Sequence, residues 1–240
     1  MTKSAIVVGA TGLVGQYVVK QLLQHPAYEH VTSMTRRAVK HTTRDHGTHH
    51  NLVVDFDAAL QLNDKALEHN ASASDDRNRL LTELAQHDEL YLCLGTTMKQ
   101  AKTRQAFQHV DQTYTVELAK LAKQSGINAA AMVSAISSSS SSPFFYARVK
   151  ANTEADLREL SFAQLVIIQP SIILGQRQPI RPMEALVQHT LPLLTPIMVG
   201  RFTPYRAIHA RDIARLMITE LNTEWRGTHT IDVRKLITRS

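Results

Sequence analysis

Short unbroken apolar runs alternate along the chain with longer segments in which apolar residues recur every three or four positions. The runs Ala5–Val8, His30–Thr35, Asn51–Val54, Glu89–Leu94, Ala129–Val133 and Gln164–Gln169 read as buried strands. Between the first two, the periodic segment Leu13–Gln24 predicts a helix that Pro26 prevents from continuing. Residues 57–87 predict one or two helices, broken at a surface loop, Asn70-Ala-Ser-Ala-Ser-Asp-Asp-Arg77, too short to link two domains. After the fourth strand a long helix places Phe107, Val110, Tyr114, Leu118 and Leu121 on one face, with Gly126 as its C-cap. Ser142-Pro143, an N-cap and first-turn pair, predicts the start of the next helix. Thr203–His209 and Ala210–Leu221 form a last strand–helix unit. The alternation predicts the α/β class, a doubly wound parallel sheet in a single domain over 1–240. Pro179, Pro182, Pro192, Pro196 and Pro204 interrupt the pattern, which makes roughly 171–205 a small irregular C-terminal lobe on the substrate side.

The junction of the first strand and first helix carries Gly9, Gly12 and Gly15 at three-residue spacing. Each has a distinct use in a strand–turn–helix that binds a dinucleotide. Gly9 permits the tight turn, Gly12 lets a pyrophosphate approach the backbone, and Gly15 lets helix and strand pack closely. Amides at the helix start then hold the anion. In this context the pattern predicts a Rossmann fold rather than an ordinary tight turn. The second strand ends in Arg36-Arg37, where an NAD-preferring site carries an acid for the adenosine ribose. Two arginines suit a 2′-phosphate and point to NADP(H); the bland alternative is a solvated basic turn. Asp55-Phe56 follow the third strand at the edge that faces ligand, where they flank the adenine, serve as an N-cap and a core aromatic, or both. Gly95-Thr96-Thr97 leave room for a cofactor over the fourth strand.

Composition narrows the classes. The net charge of +6 and pI near 9.5 fit an enzyme of an anionic cofactor. Basic residues are dispersed without a dense block or interleaved aromatics, which argues against nucleic acid. No apolar stretch suffices to span a bilayer, and the first strand is too short and too glycine-flanked for a signal peptide. Cys93 is the single cysteine, within an apolar run, and reads as a core residue rather than a nucleophile. A cytoplasmic location follows as the default. His41, His46, His49 and His50 lie in a polar stretch, 41–50, without a carboxylate or cysteine framework, so an exposed loop is expected and no metal site.

Ser134 ends the fifth strand, and Tyr146 and Lys150 follow one helical turn apart. A tyrosine works as acid or base near neutrality only when a cation such as the lysine ammonium stabilises its phenolate. Ser134 could donate a hydrogen bond to a substrate carbonyl. A few residues on, Ser137 and Ser138 are alternative sources of that hydroxyl.

With these residues in place the chain resembles the short-chain dehydrogenase/reductase superfamily over nearly all its length. It is most similar to the atypical branch of Tat-interacting-protein (CC3-like) oxidoreductases. The shared segments are Gly9-Ala-Thr-Gly12-Leu-Val-Gly15, Thr35-Arg36-Arg37, Val54-Asp55-Phe56, Cys93-Leu-Gly95-Thr96-Thr97, Val110-Asp111-x-x-Tyr114, Phe145-Tyr146-Ala-Arg-Val-Lys150, Gln169-Pro170-Ser171 and Arg177-Gln-x-x-Arg181-Pro182. The resemblance implies NADP(H) held by Gly9, Thr11, Gly12, Leu13, Val14, Gly15, Arg36, Arg37, Asp55, Phe56, Leu94, Gly95, Thr96, Pro170, Ser171 and Arg177. It implies Tyr146 as proton donor or acceptor, Lys150 on the nicotinamide ribose and tuning Tyr146, and Ser134 positioning the substrate oxygen. Asp111 joins this catalytic set where the superfamily usually carries asparagine. The expected function is an NADP(H)-dependent oxidoreductase acting on a small carbonyl or alcohol. The alternative is an NADP(H)-binding regulatory or scaffold protein; nucleotide-sugar epimerisation ranks third because the C-terminal lobe is short. The same pattern leaves room for a homodimer through an exposed helix face.

Overall fold

Ala5, Ile6, Val7 and Val8 are completely buried, and the strand they build is paired along both edges. This is β1 (Lys3–Val8), with β2 (Tyr28–Thr35) on one side and β4 (Glu89–Leu92) on the other, all parallel. A strand enclosed in this way presents both faces to helices, which is why its sequence is an unbroken apolar run rather than an alternation. The computed structural model describes residues 2–38, 47–60, 71–136, 138–175 and 207–232. Among these, β3 (Thr48–Val53), β5 (Ala129–Val133), β6 (Gln164–Gln169) and β9 (Gly227–Asp232) complete a seven-stranded parallel sheet of order β3-β2-β1-β4-β5-β6-β9. A separate parallel pair joins β7 (Ile173–Leu174) to β8 (Ile208–His209).

Helices cover both faces. On one face α1 (Gly15–Gln24) and α8 (Ala210–Leu221) pack Val18, Val19, Leu22, Ile213 and Met217 onto Ala5, Val7 and Val166. On the other, α3 (Ala71–Leu84), α6 (Thr115–Gln124) and α7 (Phe145–Glu159) bring Leu80, Leu84, Leu118 and Leu157 against Ile6, Val8, Leu90 and Ile167. The expected doubly wound Rossmann-like architecture is therefore present.

Several boundaries differ from the sequence reading. Helix α1 begins at Gly15, because Gly9–Val14 form the turn. Strand β3 begins at Thr48, so His49 and His50 lie on an edge strand rather than in a loop. His49 Nε2 is 2.9 Å from Ser33 Oγ and His50 Nδ1 is 2.9 Å from Glu83 Oε1, and no metal-binding cluster occurs among the described residues. The supposed break at 70–77 is helical from Ala71 onward, since the helix preference of its alanines outweighs the turn tendency of its serines. The long helix after β4 is divided. Thr97 caps α4 (Met98–Ala101), Lys102 turns the chain at φ 66°, and Thr103 caps α5 (Arg104–Gln108). A π-helical segment, His109–Tyr114, then runs into α6. Helix α7 starts at Phe145 rather than at Pro143, with Ser142 Oγ accepting from Phe144 N at 3.2 Å. The four-residue α2 (Phe56–Ala59) follows β3, with Asp55 as its N-cap. Most of the lobe at 171–205, including Arg177 and Arg181, lies outside the described residues, as does Ser137.

Candidate active site

The turn after β1 is built by steric necessity. Gly9 adopts φ 78°, and a Cβ there would meet Cys93 O at 2.6 Å. A Cβ at Gly15 would lie 2.2 Å from Gly9 O, so helix and turn touch backbone to backbone. Gly12 N donates to Gly9 O at 2.9 Å and closes the turn. No side chain caps α1 and no acid occupies its first turn, so the amide end of the helix presents uncompensated positive potential. These features fit a pyrophosphate.

Gly12, Leu13 and Val14 form one wall of a cleft of about 360 Å³ at the carboxyl ends of the strands. Leu94, Gly95 and Thr96 line it from the loop after β4, with Asp111 from the π-helical segment, Ser134 from β5, Tyr146 and Lys150 from α7, and Ile173 from β7. Cys93 also faces this cleft; its enclosure pushes the thiol up to about 12, which suits packing and not nucleophilic attack.

Lys150 is buried, and its Nζ lies 2.7 Å from Asp111 Oδ1. Asp111 Oδ2 accepts from Thr96 N at 2.8 Å, so one carboxylate ties the loop after β4 to helix α7. Thr153 Oγ1, one turn beyond Lys150, lies 3.3 Å from the Asp111 carbonyl oxygen. That carbonyl belongs to the π-helical stretch, a backbone form that concentrates at functional sites. Tyr146 is 43% exposed at the cleft, with its ring 5.7 Å from that of Phe107. Partial enclosure raises its phenol; Lys150 pulls it down, and Asp111 opposes that pull. Ser134 is buried at the end of β5, and its hydroxyl donates to Glu154 on α7.

The residues expected around the adenosine occupy the ends of β2 and β3, apart from this cleft. Arg36 and Arg37 are exposed directly after β2. Asp55 Oδ1 accepts from Asp57 N at 2.9 Å, and Phe56 is buried in the core with its ring edge-on to Tyr114. Thr11 is exposed on the glycine turn; Pro170 is buried after β6, with its carbonyl accepting from Ile136 N at 2.9 Å, and Ser171 is half-buried beside it. Sequence reasoning missed Asp57, which accepts from Tyr114 and from His109 Nε2 and is held low by those bonds, with a smaller contribution from Arg36. It also missed Glu154, although four-residue spacing puts Glu154 on the same face of α7 as Tyr146 and Lys150.

The profile of the NAD dependent epimerase/dehydratase family matches residues 5–233. "Protein FMP52, mitochondrial" of Candida albicans is 32% identical over 177 residues, covering 73% of this chain and 69% of that protein. "Protein HTATIP2" of Rattus norvegicus is 31% identical over 186 residues, covering 78% and 69%. Among solved structures, MoeE5 in complex with UDP-glucuronic acid and NAD superposes with a TM-score of 0.65 at 14% identity, covering 98% of this chain and 80% of that one. At that identity the likeness is one of fold. The expected cytoplasmic location is overturned by the fungal relatives, which are named as mitochondrial proteins. Among the described residues no helix is long and apolar enough to cross a membrane.

Proposed function

The chain belongs to the NAD dependent epimerase/dehydratase family, in its atypical short-chain dehydrogenase branch with the Tat-interacting-protein relatives, and from that premise we propose that it is an NADP(H)-dependent oxidoreductase. The observation that carries the reading is the convergence of Tyr146, Lys150 and Ser134 with the glycine turn in one cleft. When bound in this cleft, a nicotinamide cofactor would supply or accept the hydride at a carbonyl or alcohol carbon of a small substrate. Tyr146 gives its phenolic proton to the substrate oxygen during reduction and takes one back during oxidation. Lys150 stabilises the phenolate and would hold the ribose hydroxyls of the bound cofactor. Asp111 fixes Lys150 and the loop after β4 together. Leu13 and Val14 would offer backbone amides to the pyrophosphate at the start of α1, over the turn that Gly12 N closes. Arg36 and Arg37 supply guanidinium groups for a 2′-phosphate at the end of β2.

Two measurements test this. Calorimetric titration with NADPH and NADH side by side is expected to favour NADPH, and replacing Arg36 and Arg37 by alanine to remove about tenfold or more of that preference. Equal affinities in the unaltered protein would refute the arginine assignment and leave the fold untouched. Tyr146→Phe is expected to keep dinucleotide affinity while turnover falls by about 10² to 10⁴. Full turnover retained in that variant would remove Tyr146 from the chemistry. The HTATIP2 and FMP52 relatives are named without an activity, so the substrate is to be found by following nicotinamide absorbance over a panel of aldehydes, ketones and alcohols.

A further inference from the structure

Among the described residues, the large apolar side chains left exposed are Met98, Phe144, Tyr146 and Ile172, with Phe144 the barest at 74%. Exposed apolar residues scattered singly need no explanation, but a gathering of them marks a contact surface. These four are gathered. Met98 opens α4 after β4, Phe144 and Tyr146 flank the first residue of α7 after β5, and Ile172 follows β6. Strands β4, β5 and β6 are neighbours in the sheet, so all four residues stand beyond adjacent strand ends, where the cleft opens. Met98 and Tyr146 line the cleft itself, as does Ile173 next to Ile172.

The apolar character continues inward. Beyond the glycine turn the wall includes Leu94, Met98, Phe107 and Ile173, and the Tyr146 ring packs 5.7 Å from that of Phe107. Lys150 and Asp111 are the charged residues that line the cleft, and they are bonded to each other at 2.7 Å. Cations on the flanking helices are engaged elsewhere. The Arg104 guanidinium lies over the Phe145 ring, 5.4 Å from its centroid. Arg148 Nη1 donates to Ser142 O at 2.8 Å and to Pro143 O at 2.9 Å. Lys99 and Lys102 are exposed and line no part of the cleft. A carboxylate or pyrophosphate brought by a substrate to this wall would lose its water without gaining a counter-charge.

We propose that the substrate of this site is an uncharged, apolar alcohol or the matching aldehyde or ketone, its aryl or alkyl body lying on Met98, Phe107 and Ile173 and reaching the rim at Phe144. The assignment rests on the oxidoreductase reading and narrows it to a substrate class. The reacting oxygen is the one polar group such a molecule has to satisfy, and Tyr146 stands at the cleft to meet it. A nucleotide sugar, with its pyrophosphate and several hydroxyls, is disfavoured by the same wall.

The test measures dissociation constants by saturation-transfer NMR for para-methylbenzyl alcohol, para-butylbenzyl alcohol, para-(hydroxymethyl)benzoate and UDP-glucose. The protein is used free and with NADPH, where an alcohol has no oxidant and cannot react. The methyl probe is expected to bind about tenfold more tightly than the benzoate of similar size. The butyl probe is expected to gain about a further tenfold as its added methylenes leave water. M98D puts a carboxylate into the wall at a first helical position that suits an acid, and is expected to weaken both apolar probes about tenfold. Attachment elsewhere on the surface would be indifferent to it. F144S supplies a better cap for α7 and is expected to reduce the butyl gain about threefold. Benzoate or UDP-glucose binding as tightly as the methyl probe, a butyl probe without gain, or an M98D or F144S protein that binds like the parent would each overturn the proposal. NADP+ then separates the two readings. Oxidation of a bound probe to its aldehyde passes a hydride to NADP+ and releases one proton, read as nicotinamide absorbance. Apolar probes that bind as expected without that signal would refute the oxidoreductase reading and leave the apolar site standing. Turnover confined to charged or polyhydroxylated alcohols would do the reverse.

Discussion

At the scale of single residues, Asp111 has opposing effects. Its carboxylate neutralises the buried Lys150 ammonium, and by the same charge it raises the Tyr146 phenol that Lys150 would lower. Asp111→Asn keeps an acceptor for Thr96 N but removes the charge. Tyr146 then feels Lys150 unopposed and ionises more readily. The rise of alcohol oxidation with pH is expected to move to lower pH in that variant, measured as the acidic limb of the kcat/KM profile; a move to higher pH would contradict the assignment. Lys150, left buried without its counter-charge, is expected to destabilise the fold by about 3–5 kcal/mol in urea unfolding. Tyr146 and Lys150 were legible in the sequence because spacing of four on a helix is a local property. The bond from Asp111 to Thr96 was not, since it joins residues that become neighbours only through the sheet.

At the scale of elements, the glycine turn is the most legible part of the site and the π-helical segment the least. The turn is dictated by residues within a single strand–helix unit. Gly15→Ala tests it: the added methyl would stand 2.2 Å from Gly9 O, and only a shift of α1 away from β1 could relieve that. A loss of about 2–3 kcal/mol in chemical unfolding is expected, with dinucleotide binding impaired as the amides leave the turn. An alanine variant with parental stability would mean that α1 is not clamped as described. The π-helical segment escaped sequence reading because Phe107, Val110, Tyr114, Leu118 and Leu121 have spacings that also suit an unbroken α-helix. What distinguishes it is tertiary: the Asp111 bonds to Lys150 and Thr96, and the approach of Thr153 to the Asp111 carbonyl.

At the scale of the whole molecule, the buried strands were legible from their apolar runs, and β5 and β6 have the predicted limits. Strand β9 was not, because only Ile231 of Gly227–Asp232 is buried and an edge strand needs no apolar run. Stability against acid is set partly by His87, which is buried with Nδ1 2.7 Å from Glu83 O. Burial holds it below its ordinary value of about 6.5. The unfolded chain therefore binds that proton first, and stability declines as pH falls from about 6.5 through the folded-state value. Replacing His87 by Gln is expected to flatten the fall between pH 7 and 5 by at most about 1.4 kcal/mol per pH unit, read from urea melts at each pH. An unchanged slope would place the acid sensitivity elsewhere. The position of β1 also bears on the birth of the protein. Of the seven strands of this sheet it leaves the ribosome before the others, yet one of its edges is satisfied only when β4 arrives, more than eighty residues later. During that interval a nascent half-sheet displays an apolar, hydrogen-bond-hungry border, which makes stalled or truncated chains ending before β4 the species most in need of a chaperone.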